Sequence, residues 1–340
     1  MPIDQSNSTK QRIPDNAHAR VRSACLPLFT ALILTSTALS AQTPPQTQPA
    51  AQQTPPQPRT IQLEDFAKIS SVNDPQISPD GKSIAFVVSH TNLDQDRSDR
   101  ELLLIDIATS VPRALTHDRK GVGSPRWSPE GDRLAFEAID TTAKDPKLQL
   151  YVLPMTGGEA RKLTDAPNGV EQFAWRPNGQ EIAYVASDEP ENKKEIEKHN
   201  DAFEVGDNDY LAKGPETPSH LWIVAAEGGK PRRLTSGAWS LAKSAPPSSP
   251  ASPINWSPDG KALLFTRQER PEFGDADQTT LQILDVESGA IRKVTTHEKF
   301  ESYGLFSPDG SRIAYWYPRD ADPSRMRKDV TRLLKVSGVG

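Results

Sequence analysis

The chain has 340 residues, 35% of them hydrophobic, with 31 prolines and a formal net charge of −5. That length can bury a sizeable core, and the acidic balance gives no basis for binding nucleic acid or an anionic membrane surface. Many prolines between short apolar runs suit strands and turns rather than helices.

Residues 1–40 read as an export signal. Lys10, Arg12, Arg20 and Arg22 precede an apolar run from Leu26 to Leu39, and Ala38-Leu39-Ser40 offers small residues before Ala41. The run falls short of the roughly twenty residues a transmembrane helix needs, so no membrane span is expected after cleavage. Cleavage would remove Cys25, the only cysteine. It would also make the remainder more acidic, because the segment carries four basic and two acidic side chains. An exported chain, periplasmic or secreted, without disulfides is the expectation. Residues 41–60, rich in Pro, Gln, Thr and Ala, read as a disordered linker. Order is expected to begin near Ile61-Gln62-Leu63-Glu64-Asp65-Phe66.

From there a turn motif recurs. Ser-Pro-Asp-Gly stands at Ser78–Gly81, Ser257–Gly260 and Ser307–Gly310, with variants Ser128-Pro129-Glu130-Gly131 and Arg176-Pro177-Asn178-Gly179. Proline presets φ, the Asx side chain bonds locally and glycine accepts positive φ, so each copy predicts a hairpin. A short apolar run follows each copy: Ile84–Val88, Leu134–Phe136, Ile182–Val185, Leu263–Phe265 and Ile313–Trp316. A second hairpin interleaves, as in Leu150–Leu153, Thr156-Gly157-Gly158 and Arg161-Lys162-Leu163-Thr164, with counterparts ending at Thr116, Thr235 and Thr295. Two hairpins per period make one four-stranded antiparallel blade. The intervals between the turn glycines are 50, 48, 81 and 50 residues. The expected fold is all-β: a β-propeller over residues 61–340, with about five repeat units and incomplete. A generic β-sandwich with similar turns is the bland alternative, and it needs no such period.

The long interval holds a charged insertion, residues 188–218. Between Asp188 and Asp209 lie nine acidic and three lysine side chains. Asp188 and Glu191 have capping-box spacing, which predicts a short helix from Pro190 to His199 with Glu189–Lys193 and Glu191–Lys194 surface pairs. Phe203, Val205 and Tyr210 then punctuate an extended arm. Glu204, Asp207 and Asp209 are the candidate substrate-binding residues, able to hold a peptide's free α-ammonium group; a solvated, self-supporting insertion is the bland reading. A second polar stretch, Ser244-Ala245-Pro246-Pro247-Ser248-Ser249-Pro250, reads as an inter-blade loop.

Catalytic chemistry is not visible in these residues. There is no Gly-x-Ser-x-Gly, so no nucleophile elbow, and no catalytic residue is assigned. The six histidines (18, 90, 117, 199, 220 and 297) show no metal-ligand spacing. His117 and His297 follow the outer-strand threonines at matching repeat positions and read as structural. No metal and no cofactor is expected.

Several segments resemble a known family. Asp74-Pro75-Gln76-Ile77-Ser78-Pro79-Asp80-Gly81-Lys82 with Ile84-Ala85-Phe86-Val87 is similar to the start of the propeller in S9 (prolyl oligopeptidase) serine peptidases. His199–Val205, Thr217-Pro218-Ser219-His220-Leu221-Trp222 and Ser244–Pro250 resemble its dipeptidyl-peptidase and acylaminoacyl-peptidase-like branch. The resemblance implies a propeller, usually of seven blades, over a C-terminal α/β-hydrolase domain whose Ser-Asp-His triad cleaves short peptides. It implies that the propeller shields the site and selects substrates by size, and that in some members propeller glutamates bind the substrate amino terminus. Glu204 is the nearest candidate, although its surroundings do not match a double-glutamate motif.

After Tyr317-Pro318-Arg319-Asp320 the repeat predicts a third strand and then an outer strand. Lys328-Asp329-Val330-Thr331 resembles an outer strand, so the last unit reads as broken after residue 320 with its third strand missing. The expectation is a truncated or rearranged product, inactive alone, that could self-associate through open propeller edges. The alternative is a stand-alone periplasmic propeller of the TolB type acting as a protein-binding scaffold.

Overall fold

Each Ser-Pro-Asp-Gly copy closes the same six-residue hairpin. In the first, the Gly81 amide donates to the Ser78 carbonyl (2.9 Å) and the Ser78 amide to the Ser83 carbonyl (2.8 Å). The Ser78 hydroxyl donates to Asp80 Oδ1 (2.6 Å) and accepts the Ser83 amide (3.0 Å), while Asp80 accepts the Lys82 amide (3.1 Å). Ser257/Asp259 and Ser307/Asp309 repeat this network. In the Glu130 variant the serine turns to Asp132 instead (2.7 Å). The turn glycines sit at φ near +70°, where a Cβ would be strained.

The computed structural model describes residues 60–200, 202–203, 214–242, 253–272, 278–318 and 329–335, the last as backbone. Among the described residues, two four-residue helices, α1 (Leu63–Phe66) and α2 (Lys193–Ile196), accompany twenty strands in five antiparallel sheets. Blade I is β1 (Ser70–Ile77), β2 (Ser83–Asn92), β3 (Arg97–Asp106) and β4 (Pro112–Ala114). Blade II is β5 (Gly123–Trp127), β6 (Arg133–Ile139), β7 (Leu148–Pro154) and β8 (Arg161–Lys162). Blade III is β9 (Gln172–Trp175), β10 (Glu181–Ser187), β11 (Ser219–Ala225) and β12 (Arg232–Arg233). Blade IV has β13 (Ser240–Leu241) and β14 (Asn255–Trp256) side by side along β15 (Ala262–Gln268), then β16 (Thr279–Asp285) and β17 (Ile291–Lys293). Blade V is β18 (Ser302–Phe306), β19 (Arg312–Pro318) and β20 (Asp329–Lys335). The inner strands β1, β5, β9, β14 and β18 neighbour one another in that order, the arrangement of propeller blades around an axis.

The cores lie between blades. Ala85, Val87, Leu102 and Leu104 of blade I meet Leu134, Phe136, Ala138 and Tyr151 of blade II, and three further apolar layers join blades II to V. The junctions also share two polar or close-packed contacts. The Trp127 indole donates to the Gln76 carbonyl (3.0 Å), Trp175 to Arg126 (3.0 Å) and Trp256 to Ala174 (3.2 Å). A Cβ on Gly131, Gly179, Gly260 or Gly310 would lie 3.2–3.6 Å from the turn proline of the preceding blade (Pro79, Pro129, Pro177 and Pro258). The outer-strand threonines close each blade: Thr116, Thr164 and Thr235 accept the amides of Leu102, Leu150 and Leu221. In blade IV Glu301 takes that amide, and Thr295 bonds to Glu301.

Three local expectations change. Asp329–Lys335 pairs directly with β19, from Arg312↔Lys335 to Pro318↔Asp329, so it is a third strand. The outer strand is what blade V lacks among the described residues. Ser244–Pro250 lies outside the described residues. Because β13 and β14 both pair with β15, the stretch interrupts one inner strand rather than linking two blades. The insertion helix is only Lys193–Ile196, with Asn192 at its N-cap and no side-chain cap. Asp188 is drawn to the sheet instead, where its carboxylate accepts from Arg233 (2.7 Å) and its amide donates to the Pro218 carbonyl (2.8 Å).

Candidate functional site on the inner strands

The inner strands carry a repeated irregularity. β1 and β5 shift register against β2 and β6 between Asn73 and Gln76 and between Gly123 and Arg126, and β18 does so between Ser302 and Leu305. Asp74, Ser124 and Tyr303, all at the position four before the turn serine, hold φ of 47°, 51° and 52°. Left-handed backbone at a non-glycine residue costs on the order of 1–3 kcal/mol, and Asp74 and Ser124 adopt it ahead of proline, where the helical regions are already disfavoured. Bulges of this kind re-aim side chains.

Here they aim polar groups between blades. Asp74 accepts from Arg126 (2.6 Å) across the I/II junction and from Gln76 (2.6 Å). Arg126 also donates to the Pro125 carbonyl (2.7 Å). The Ser124 hydroxyl donates to Glu137 Oε2 (2.9 Å), and Glu137, only 8% exposed, leaves Oε1 buried without a hydrogen-bond partner. Burial pushes the Glu137 carboxyl up to about 7; the Ser124 bond and the Arg126 charge oppose that rise, and Asp74 adds to it. Two clefts open beside Glu137. One, of about 420 Å³, lies between blades I and II and includes Asp74, Ser89, Arg100 and Ser124. The other, of about 380 Å³, runs along blades II, III and IV and includes Arg126, Trp127, Glu171, Phe173 and Ile254. Such volumes suit a small ligand.

Glu204, Asp207 and Asp209 lie outside the described residues, so the described site does not include them. The base of their insertion is defined. Beside the Asp188–Arg233 pair, His220 is fully buried, with its ring nitrogens 3.1 Å from Thr235 Oγ1 and from the Gly237 carbonyl. Burial, then the Arg233 charge, holds this imidazole below its ordinary range, which makes it a neutral structural group. His297 bonds Glu301 (2.8 Å) and stacks on Tyr317 at 3.9 Å, a structural arrangement, whereas His117 is exposed.

Sequence reasoning passed over Glu137, and one signal marks it. Aligned on the turn glycines, Glu137 stands where the other second strands carry Val87, Val185, Thr266 and Trp316. A carboxylate in an otherwise uncharged repeat position carries a cost that packing does not explain.

No protein-family profile matches the chain. Over 104 residues, 31% of the chain, it is 38% identical to YuxL of Bacillus subtilis, named an uncharacterised peptidase, and covers 15% of that protein. Over 307 residues, 79% of the chain, it is 23% identical to dipeptidyl-peptidase 5 of Porphyromonas gingivalis, and covers 40% of it. The chain thus spans less than half the length of these curated relatives. The solved acylaminoacyl peptidase of Pyrococcus horikoshii superposes with a TM-score of 0.55 at 16% identity, over 79% of this chain and 39% of that one, a likeness of fold. In sequence the chain is thus similar to proteins named as peptidases, and in fold to part of an acylaminoacyl peptidase, which supports the resemblance to the N-terminal propeller of the S9 (prolyl oligopeptidase) family.

Proposed function

We propose that this chain is the substrate-gating propeller of an exported S9 peptidase acting on short peptides. The observation that carries the reading is the inner wall: the inner strands of five successive blades, three of them bulged, with clefts of about 420 and 380 Å³ lined from several blades. Cleavage itself would come from an α/β-hydrolase domain, because the 340 residues contain no Gly-x-Ser-x-Gly. Residues 1–40 support export, and the uncovered face of blade I supports self-association.

Grafting the chain in place of the propeller of a related S9 peptidase tests gating. Hydrolysis of di- to hexapeptides with sparing of a long unfolded substrate is the expected result. Equal cleavage of both substrates would sink the reading. For export, residues 1–60 fused to a phosphatase that is active only outside the cytoplasm should yield active reporter; inactive reporter would refute it.

A further inference from the structure

We propose that the cleft at the outer rim of the junction between blades I and II binds a carboxylate carried on a small apolar group, and that Arg113 and Arg119 hold it. The cleft, of about 500 Å³, lies between β4 with the chain that follows it and the turn joining β7 to β8. Its lining does not come from the inner strands, so the inference is independent of the gating reading.

The neighbouring junction shows what this position takes. There the Glu227 carboxylate, in the turn joining β11 to β12, accepts from Arg161 of β8 (2.9 Å) and from Arg133 of β6 (2.8 Å). Arg161 also donates to the Ala226 carbonyl (3.0 Å). Aligned on the outer strands, Arg113 of β4 stands where Arg161 does, and Thr156 stands where Glu227 does; blade IV carries Glu287 there. The I/II junction therefore keeps the arginine and lacks the carboxylate. Among the described residues, the Arg113 side chain has neither a hydrogen bond nor an ion pair. Arg133 has Ser83 as its counterpart in blade I, and the second guanidinium of this cleft is Arg119, from the chain after β4.

Arg119 is held by stacking: its guanidinium lies over the Tyr151 ring, 4.6 Å from the centre, and it has no carboxylate partner among the described residues. Two guanidiniums thus face one lining carboxylate, Glu159, which is exposed and forms no ion pair among the described residues. His117, also exposed, is the remaining titratable group. Leu115, Leu153, Met155 and Ala160 give the cleft an apolar part continuous with the core between the blades. Gly157 and Gly158 leave it open, since nothing lies within 4 Å of where their Cβ atoms would be. An exposed ion pair alone is worth little in water, so a ligand must use both halves of the cleft. A carboxylate on an apolar group does so, whereas a cation is repelled and a neutral group leaves the arginines unmatched.

Titration calorimetry on the full chain at pH 8 and low ionic strength tests this with four probes: N-acetyl-leucine, its neutral amide, hexanoate and acetate. N-acetyl-leucine or hexanoate should bind. The amide, without the charge, should bind at least about tenfold more weakly. Acetate, without the apolar group, should bind at least about fivefold more weakly. Tighter binding of N-acetyl-leucine identifies a peptide C-terminus as the source of the carboxylate, and tighter binding of hexanoate a free aliphatic acid. Arg113→Gln should weaken binding about three- to fivefold. Thr156→Glu, which restores the carboxylate of the repeat, should occupy Arg113 and weaken binding by about as much. Arg292→Gln, at the same repeat position in blade IV, should leave it unchanged. All three positions are exposed, and cooperative thermal unfolding checks that each variant is folded. No binding of either larger anion, equal affinity for the amide or for acetate, unaltered binding in Arg113→Gln or Thr156→Glu, or an equal loss in Arg292→Gln would each overturn the inference. None of these results bears on the gating reading, which the propeller graft tests separately.

Discussion

Blade I has two faces with the same kind of sequence and opposite fates. Alternate residues of β2 and β3 (Ala85, Val87, Leu102 and Leu104) are buried against blade II. Their partners on the other face, Ile84, Phe86, Val88, Leu103 and Ile105, are only half-buried, and Val72 and Ile77 are 64% and 65% exposed. Ile77 stands at the repeat position of Trp127, Trp175 and Trp256, whose indoles each bond the preceding blade. Gly81, unlike the four later turn glycines, meets no proline. The repeat therefore encodes a two-sided sheet, and an apolar residue stabilises the fold only where a neighbouring blade completes the junction.

Substitutions across that divide should give unequal penalties. Phe136→Ala, in the closed I/II junction, should cost about 3–5 kcal/mol in denaturant unfolding, and Phe86→Ala on the open face about 1 kcal/mol or less. Equal costs would mean that the open face is covered in solution.

The next largest effect is expected at Glu137. Its folded value, about 7, lies above that of an unfolded carboxylate. The folded state therefore keeps a proton that the unfolded chain gives up. Below the unfolded value nothing is lost; stability falls as pH rises toward 7 and is constant above it. Glu137→Gln should remove this fall, gaining on the order of 2–3 kcal/mol at pH 8 relative to pH 4. Parallel pH profiles of melting for variant and wild type would contradict the assignment.

Smaller differences should separate the turns. Gly131→Ala must place a Cβ at positive φ and also 3.2 Å from Pro79, whereas Gly81→Ala bears only the backbone strain of about 1 kcal/mol. Melting temperatures of the two variants should rank accordingly. Ser257→Ala, which strips the hydroxyl that bonds both Asp259 and the Ala262 amide, should cost about 1 kcal/mol; no change would show that Pro258 and Gly260 hold the turn alone.

Much of this fold was readable because turns and strand alternation are local. The Ser-Pro-Asp-Gly networks and the closing threonines need only neighbours in sequence, and they located the second, third and outer strands of blades I to IV. Asp329–Lys335 was misplaced because its first residues resemble an outer strand. Its seven residues fit a third strand, since the outer strands here, paired on one side only, run for two or three residues. Glu137 was missed for a different reason. Its unmatched oxygen depends on Ser124, which a bulge brings toward it, and on Arg126 being engaged by Asp74 from another blade. Those are long-range facts, although the break in the repeat at Glu137 was present in the alignment of units.

The most direct test of the account is equilibrium dialysis of the purified chain against radiolabelled tripeptides and a twenty-residue unstructured peptide. Saturable binding of the tripeptides, with markedly weaker uptake of the long peptide, is the predicted result. Length-independent binding, or none at millimolar peptide, would contradict the reading of this propeller as a gate for short peptides.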